Sequence, residues 1–424
     1  MTTVQTDLAH SAPIVRTRDW KGPIVFGALI VLLAAALVLG DQTGSTTYRL
    51  AAENDFFSLP EVSLSVGGAC WVVVVLLLAC LGFAIWRSLQ ALTLPLWLAA
   101  VFAVLWLVGL LTWAAAGGTI PVVGLLAGAI ALAVPLVFGA LAGVLGERAG
   151  VVNIAIDSQL LLGAFGAALV GSLTHSAFAG LIAAMVAGSL IALILGVFAI
   201  TYFVDQVIVG VVLNVLVTGL TNFLYSEVLT EDSAKLNSPP SLHVHAIPVL
   251  GDLPLIGPIL FRQTVIVYLM YVVVVLVAWA LYRTKWGLRV RAVGEHPRAA
   301  DTVGIKVNRT RYTTILIAGA IAGIGGAFYT LVSVSQFNRE LTGGAGYIAL
   351  AAVIFGKWDP VRATLAALLF GFASNLEGVL SVIGSPLPSQ FMLMLPYLVT
   401  IFAVAGLVGK SRAPAADGIP YKVG

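Results

Sequence analysis

Apolar runs of about 20 residues, the length that crosses a bilayer as one helix, recur from end to end of this 424-residue chain. They fall near 22–40, 66–86, 92–116, 121–145, 151–172, 178–203, 207–225, 264–282, 312–333, 344–356, 361–383 and 390–409. The tenth is too short to cross unaided and reads as a half-span or re-entrant segment. With 60% hydrophobic residues and only 10% charged, the chain carries more apolar surface than a water-soluble core can hide. The expected fold is an all-α, polytopic transmembrane helical bundle. An even number of segments puts both termini on one side. With that side cytoplasmic, 18 of the 22 Lys and Arg face inward, and only Arg49, Lys235, Arg262 and Arg339 face out. The opening 21 polar residues and a first span without an evident cleavage site read as a retained anchor.

Between the eighth and ninth runs lies a polar island, Arg283 to Arg311, with eight basic residues against Glu295 and Asp301. Within it, the stretch Gly294, Glu295, His296, Pro297, Arg298, Ala299, Ala300 and Asp301 reads as the start of a short helix. Glu295 is expected as its first-turn acid and Pro297 as its opening residue. A small cytoplasmic helix beside the membrane is a natural place for a partner protein to push.

Polar residues inside the runs are few. Asn153 and Asp157 share a helix face at i, i+4. A charged group in hydrocarbon costs at least about 2.5 kcal/mol, so Asp157 caps a broken or re-entrant helix, touches substrate or carries protons. Gln206, Gly210, Asn214, Thr218 and Asn222 recur every four residues, and Asn214 is either interhelical glue or part of a pathway lining. Asn375 and Glu377 interrupt the eleventh run. Gly124/Gly128, Gly139/Gly143 and Gly319/Gly323 at i, i+4 mark close helix packing from residue 121 onward, whereas residues 22–116 are rich in Leu, Val and Trp. The outer loop 226–263 holds five prolines and is expected to be extended and irregular.

Enzyme signatures are weak. Gly406 to Ser411 ends like a phosphate-binding loop but lacks its first glycine. His243 and His245 have no third ligand at metal spacing, and Cys70 and Cys80 point to different faces of one helix.

Four ordered stretches carry a resemblance: ERAGVVNIAIDSQLLLGAF, DQVIVGVVLNVLVTGLTNFLY, GLRVRAVGEHPRAADTVGIKVNRTR and GGAGYIALAAVIFGKWDP. Each resembles a motif of permease subunits of ATP-binding-cassette (ABC) importers, in the branch for nucleosides and simple sugars, related to ribose and branched-chain amino acid permeases. The resemblance implies an internal pseudo-repeat, a second permease subunit in a homo- or heterodimer, cytoplasmic ABC ATPase subunits and an extracytoplasmic substrate-binding lipoprotein. ATP and Mg would be used by the ATPase, with no cofactor bound by this chain, no enzyme activity of its own and no nucleic-acid partner. Residues 294–301 would contact the ATPase. Asn153, Asp157, Gln159, Asn214, Thr218, Asn222, Asn375 and Glu377 would lie along the translocation pathway. The implied organisation is a cytoplasmic tail (1–21), three additional transmembrane helices (22–116), a permease core (117–409) and a cytoplasmic C-terminal tail (410–424). Asp157 and Ser158 stand where the motif has Glu-Gly. A proton-coupled secondary transporter using Asp157 or Glu377 is the alternative.

Overall fold

The computed structural model describes residues 20–40, 42–51, 59–384, 390, 394 and 412–422. The expected twelfth segment, apart from 390 and 394, and the tail before residue 20 lie outside them. Ten helices among the described residues are long and apolar enough to span a bilayer, and an eleventh apolar helix is shorter. The protein is a multi-pass membrane protein. It divides into two compact units.

In the first unit, α1 (Lys21–Leu39), α2 (Val66–Leu89) and α3 (Leu96–Ala114) pack through a narrow seam. Phe26 stacks on Phe102 at 3.8 Å. Leu33 and Leu77 are fully buried, and a side chain at Gly109 would meet Leu33 and Val73. The Trp106 indole donates to the Leu29 carbonyl at 2.9 Å, anchoring α3 to α1. The outward faces, with Val31, Val38, Val75 and Trp97, are apolar and exposed, as lipid-facing surfaces are.

The second unit comprises α4 (Val122–Arg148), α5 (Ile156–Thr174), α6 (Ala177–Gly196), α7 (Gln206–Leu224), α8 (Ser233–Leu236), α9 (Val265–Arg283), α10 (Lys285–Glu295), α11 (Pro297–Thr302), α12 (Val307–Phe328), α13 (Ala345–Phe355) and α14 (Pro360–Ile383). Its centre is where α4, α5, α6 and α12 meet, and small residues set the distances there. A Cβ on Gly188 of α6 would come within 2.1 Å of the Gly319 carbonyl oxygen, and one on Gly323 within 2.0 Å of that of Ala184. Gly139 and Gly143 seat α4 against Ala349 and Val353 of α13 in the same way. The third glycine pair behaves differently: Gly128 receives Asn375, while Gly124 meets only Pro121.

Two expected boundaries move. The fifth span begins helically at Ile156 rather than 151, because residues 151–155 are not helical. The ninth begins at Val307 rather than 312, so Arg311 belongs to the helix and not to the solvated island. The proline-rich loop also has more order than its composition suggests. It holds α8, an antiparallel pair of strands (Val244–Ala246 with Arg262–Thr264) carrying His245, and a π turn at Gly257–Phe261 opened by Pro258. At 11 residues, α13 is about 16 Å long, half a bilayer core, as the short tenth run predicts.

Candidate functional site

Two assemblies of polar residues meet at the end of the second unit where α4 stops and α12 begins. The first is built on a break in helical structure. After Arg148 the chain turns through Gly150, whose φ of +80° suits glycine, and continues without regular structure to Ala155. Backbone that leaves the helix within a membrane protein needs substitute partners. The stripe on α7 provides them. Gln206 Oε1 accepts from the Val152 N–H at 2.6 Å. Asn214 Nδ2 donates to the Ile154 carbonyl at 3.0 Å, while its Oδ1 accepts from the Ser158 N–H at 3.0 Å. Gly210, between them, leaves room for Ile154, which a Cβ there would meet at 2.8 Å. Asn214 Nδ2 also donates to the Tyr347 hydroxyl at 3.0 Å. The four-residue spacing on α7 therefore reads out as a ladder holding the non-helical segment and the first turn of α5 against a helix.

Asn153 and Gln159 form a reciprocal amide pair, at 3.1 and 3.3 Å, and both are buried. Asp157 reaches the start of α13: its Oδ1 accepts from the Gly346 N–H at 2.9 Å and its Oδ2 from the Thr342 hydroxyl at 3.3 Å. A Cβ on Gly346 would fall 2.3 Å from the Asp157 nitrogen, so glycine is required for this approach. Of the roles open to Asp157, the geometry displays the capping one, with the short helix α13 as the element capped. An acid at a helix N-terminus is placed where the free N–H groups and the dipole favour it.

The structure gathers Asn153, Asp157, Gln159 and Asn214, and it separates the rest. Thr218 is half-buried one turn further along α7, and Asn222 donates to Glu340 at 3.4 Å. Asn375 donates to the Leu125 carbonyl at 2.7 Å, tying α14 to α4, and Glu377, two residues on and so on another side of the helix, is half-buried.

The second assembly is the former island. Thr284 caps α10 by accepting from the Gly287 N–H at 3.1 Å. Gly287 lets α10 fold back on α9, since a Cβ there would sit 2.1 Å from the Ala280 carbonyl oxygen. At the other end Gly294 presses on the Arg148 carbonyl just as closely. Glu295 is the last residue of α10, not the first-turn acid of a helix, because Pro297 cannot continue α10 and starts α11 instead. His296 is the exposed joint. In α11, Ala300 is only 4% exposed and packs with Val293, Val307 and Tyr421, while Arg298, Ala299 and Asp301 face out. Val303, 75% exposed one turn after Ala299, extends that outer face and was not among the sequence candidates.

The C-terminal residues 412–422 bind this assembly from below. The Ala416 N–H donates to the Gly294 carbonyl at 2.8 Å and the Ala415 N–H to Glu295 Oε2 at 3.3 Å. The Tyr421 hydroxyl donates to Asp301 Oδ2 at 2.8 Å, and Lys422 lies 5.4 Å from the centre of the Phe203 ring. Arg311, 1% exposed, joins both assemblies: Nε donates to the Ala149 carbonyl at 3.2 Å and Nη1 to the Ile419 carbonyl at 3.1 Å. Asp417 faces Arg311 and Glu147, whose carboxylate also accepts from the Trp358 indole. Burial pushes the Asp417 carboxyl up to about 7, although the Gly418 N–H and the Arg311 guanidinium pull it down. The signal for Arg311 was an arginine one residue outside an apolar run. The tail has no periodicity by which its docking could be read.

A family described as branched-chain amino acid transport system / permease component matches residues 125–404, which include both helical assemblies but not the tail. The guanosine ABC transporter permease protein NupQ of Bacillus subtilis is 39% identical over 288 residues, 66% of this chain and 90% of the relative. The nucleoside ABC transporter permease protein NupC of Lactococcus lactis is 35% identical over the same length and shares. The putative glucose ABC transporter permease protein TsgC13 of Haloferax volcanii is 33% identical over 292 residues, 64% of this chain and 87% of the relative. No solved structure matches.

Proposed function

Because this chain belongs to the branched-chain amino acid transport system / permease component family of ABC transporter permeases, we propose that it is the permease subunit of an importer for a nucleoside or simple sugar. Alternating access is driven by partner ATPase subunits at the cytoplasmic face. The nucleoside class is favoured by the names of the two relatives that are 39% and 35% identical. A second permease subunit completes the pathway, and an extracytoplasmic lipoprotein delivers the substrate. Residues 117–409 form the permease core, with 22–116 as three additional helices. Both termini lie in the cytoplasm, the side on which the basic residues concentrate. ATP and Mg are handled by the partner, and this chain binds no cofactor.

The observation that carries the reading is the setting of α11. Its outer face, Ala299 with Val303, is free for a partner, and its inner face at Ala300 is clamped by α10, α12 and the tail. Motion imposed on α11 passes to Gly294, from there to the Arg148 carbonyl, and so into the non-helical segment that Gln206 and Asn214 hold. Asp157 at the far end of that segment touches the start of α13. One contiguous set of contacts thus joins the ATPase-facing helix to the polar cluster, which supplies the two-state element alternating access needs. Asn153, Gln159, Asn214 and Asp157 border the pathway as its positioning shell, with their hydrogen bonds directed into the fold.

The test is reconstitution of the chain with a second permease subunit, an ABC ATPase and a substrate-binding lipoprotein. ATP-dependent uptake of labelled guanosine or ribose is expected, with none under a proton gradient alone. Uptake driven by the gradient in vesicles lacking ATPase overturns the proposal in favour of proton coupling.

The tail adds a pH dependence. Asp417 has a folded-state value raised above that of a free carboxyl, so the docked tail holds a proton that the released tail gives up. Docking is therefore strongest below about pH 4, weakens as pH rises toward about 7 and is level above that. A spin label at Ile419→Cys is expected to become more mobile across that interval, and Asp417→Asn to abolish the trend.

A further inference from the structure

A cavity of about 480 Å³ opens between α10 and the first two turns of α12, lined by Trp286 and Arg289 from one side and Lys306, Arg309, Thr310 and Thr313 from the other. The two sets face each other by helical spacing: Trp286 and Arg289 are i, i+3 on α10, and Lys306, Arg309, Thr310 and Thr313 follow i, i+3, i+4, i+7 along α12. No acidic side chain is among the described residues lining it. Arg289, Lys306 and Arg309 are exposed and have no ion pair or side-chain hydrogen bond among the described residues. Four other charges of the segment 283–311 are occupied elsewhere. Arg311 is bonded to Ala149 and Ile419, Asp301 to Tyr421, Glu295 to Ala415, and Arg291 lies 5.3 Å from the centre of the Tyr282 ring. Three unneutralised cations converging on one cleft raise the local concentration of anions.

We propose that this cavity is a binding site for an anionic phospholipid. The phosphate is held by Arg289, Lys306 and Arg309, with the hydroxyls of Thr310 and Thr313 beside it and Trp286 at the glycerol level. The lipid is favoured over a free anion by what lies beyond the cations. The lining runs seven residues, about 10 Å, from Lys306 along α12 to Thr313. Exposed Ile317, one turn on, continues the same face into the span. Charge, hydroxyl and apolar surface thus succeed one another in the order of a phospholipid's own parts, and a tryptophan lies where the interface is expected. A protein partner arriving from water would meet the outer face of α11 instead. The inference stands on these residues alone and does not depend on the transport reading.

The experiment uses the purified full chain in nanodiscs, following quenching of the Trp286 component of fluorescence, defined as wild type minus Trp286→Phe. Brominated phosphatidylglycerol is expected to quench it at a mole fraction about a hundredfold below that needed for brominated phosphatidylcholine, the weight of three interfacial cations. Arg289→Gln with Lys306→Gln and Arg309→Gln is expected to remove the difference, and the charge-conserving Lys306→Arg with Arg309→Lys to keep it. Inorganic phosphate at millimolar concentration is expected not to compete. Equal quenching by the two lipids, or an unaltered preference in the triple variant, overturns the proposal. Displacement by inorganic phosphate overturns it in favour of a small-anion site. Absence of lipid preference together with shielding of the three cations by the partner ATPase overturns it in favour of a protein contact.

Discussion

Arg311→Met is expected to release residues 412–422 from the body of the protein while leaving the membrane helices assembled. The side chain is 1% exposed, and its guanidinium donates to two carbonyls, Ala149 and Ile419, that belong to different segments. Methionine fills similar volume without donating, so both carbonyls lose a charged partner, and hydrogen bonds to charged groups are worth about 1.5–3 kcal/mol each. Asp417 loses the cation that opposes the effect of its burial. Removing one member of a buried ionic set costs about 3–5 kcal/mol. The direct readout is hydrogen exchange at the Ala416 amide, which donates to Gly294. At fixed pH its protection is expected to fall by two to three orders of magnitude, the fold-change that about 3–4 kcal/mol represents. Arg311→Met with Asp417→Asn is expected to recover part of the loss, because no carboxylate is then left without its cation. Unchanged protection in the single variant would show that the tail is held without Arg311.

The physical reason this node escaped the sequence lies in what periodicity can report. Hydrophobic runs mark lipid exposure and burial together, so the helices from Lys21–Leu39 to Pro360–Ile383 were legible within a few residues. The half-length of α13 was legible from its apolar length alone. Arg311 sits in the first turns of a helix whose apolar pattern starts after it, and charge counting therefore placed it in solvent. The stripe on α7 was visible as spacing, but its partner is a non-helical segment, and backbone bonded to side chains has no signature in composition. Glu295 shows a different limit. A proline after an acid suits a helix start, yet here the acid ends one helix and the proline opens the next, a distinction set by the bend at His296. The tail was read only as cytoplasmic and terminal, since two of its three hydrogen bonds to residues 294–301 are made by backbone N–H groups, which any residue but proline supplies.

Ala299→Asp and Ala300→Asp, adjacent in sequence, are expected to fail for opposite reasons. Ala299 is exposed on the outer face of α11, so an aspartate there keeps its hydration and leaves the fold as it is. Its effect falls on the partner, whose surface would have to desolvate a carboxylate. Loss of an interface hot spot of about 2 kcal/mol corresponds to about a thirtyfold fall in coupled uptake. Protection of the Ala416 amide is expected to stay at the wild-type level. Ala300 faces Val293, Val307 and Tyr421 instead, and a carboxylate there would be buried next to Asp301 without a cation to balance it. That substitution is expected to push α11 off α10 and α12, lowering uptake and Ala416 protection together. Ala299→Ser, which adds no charge, is expected to transport normally. Wild-type uptake by Ala299→Asp in the reconstituted importer would remove α11 as the surface on which the ATPase acts. A loss of Ala416 protection in the same variant would show that residue 299 holds the fold and does not serve the partner.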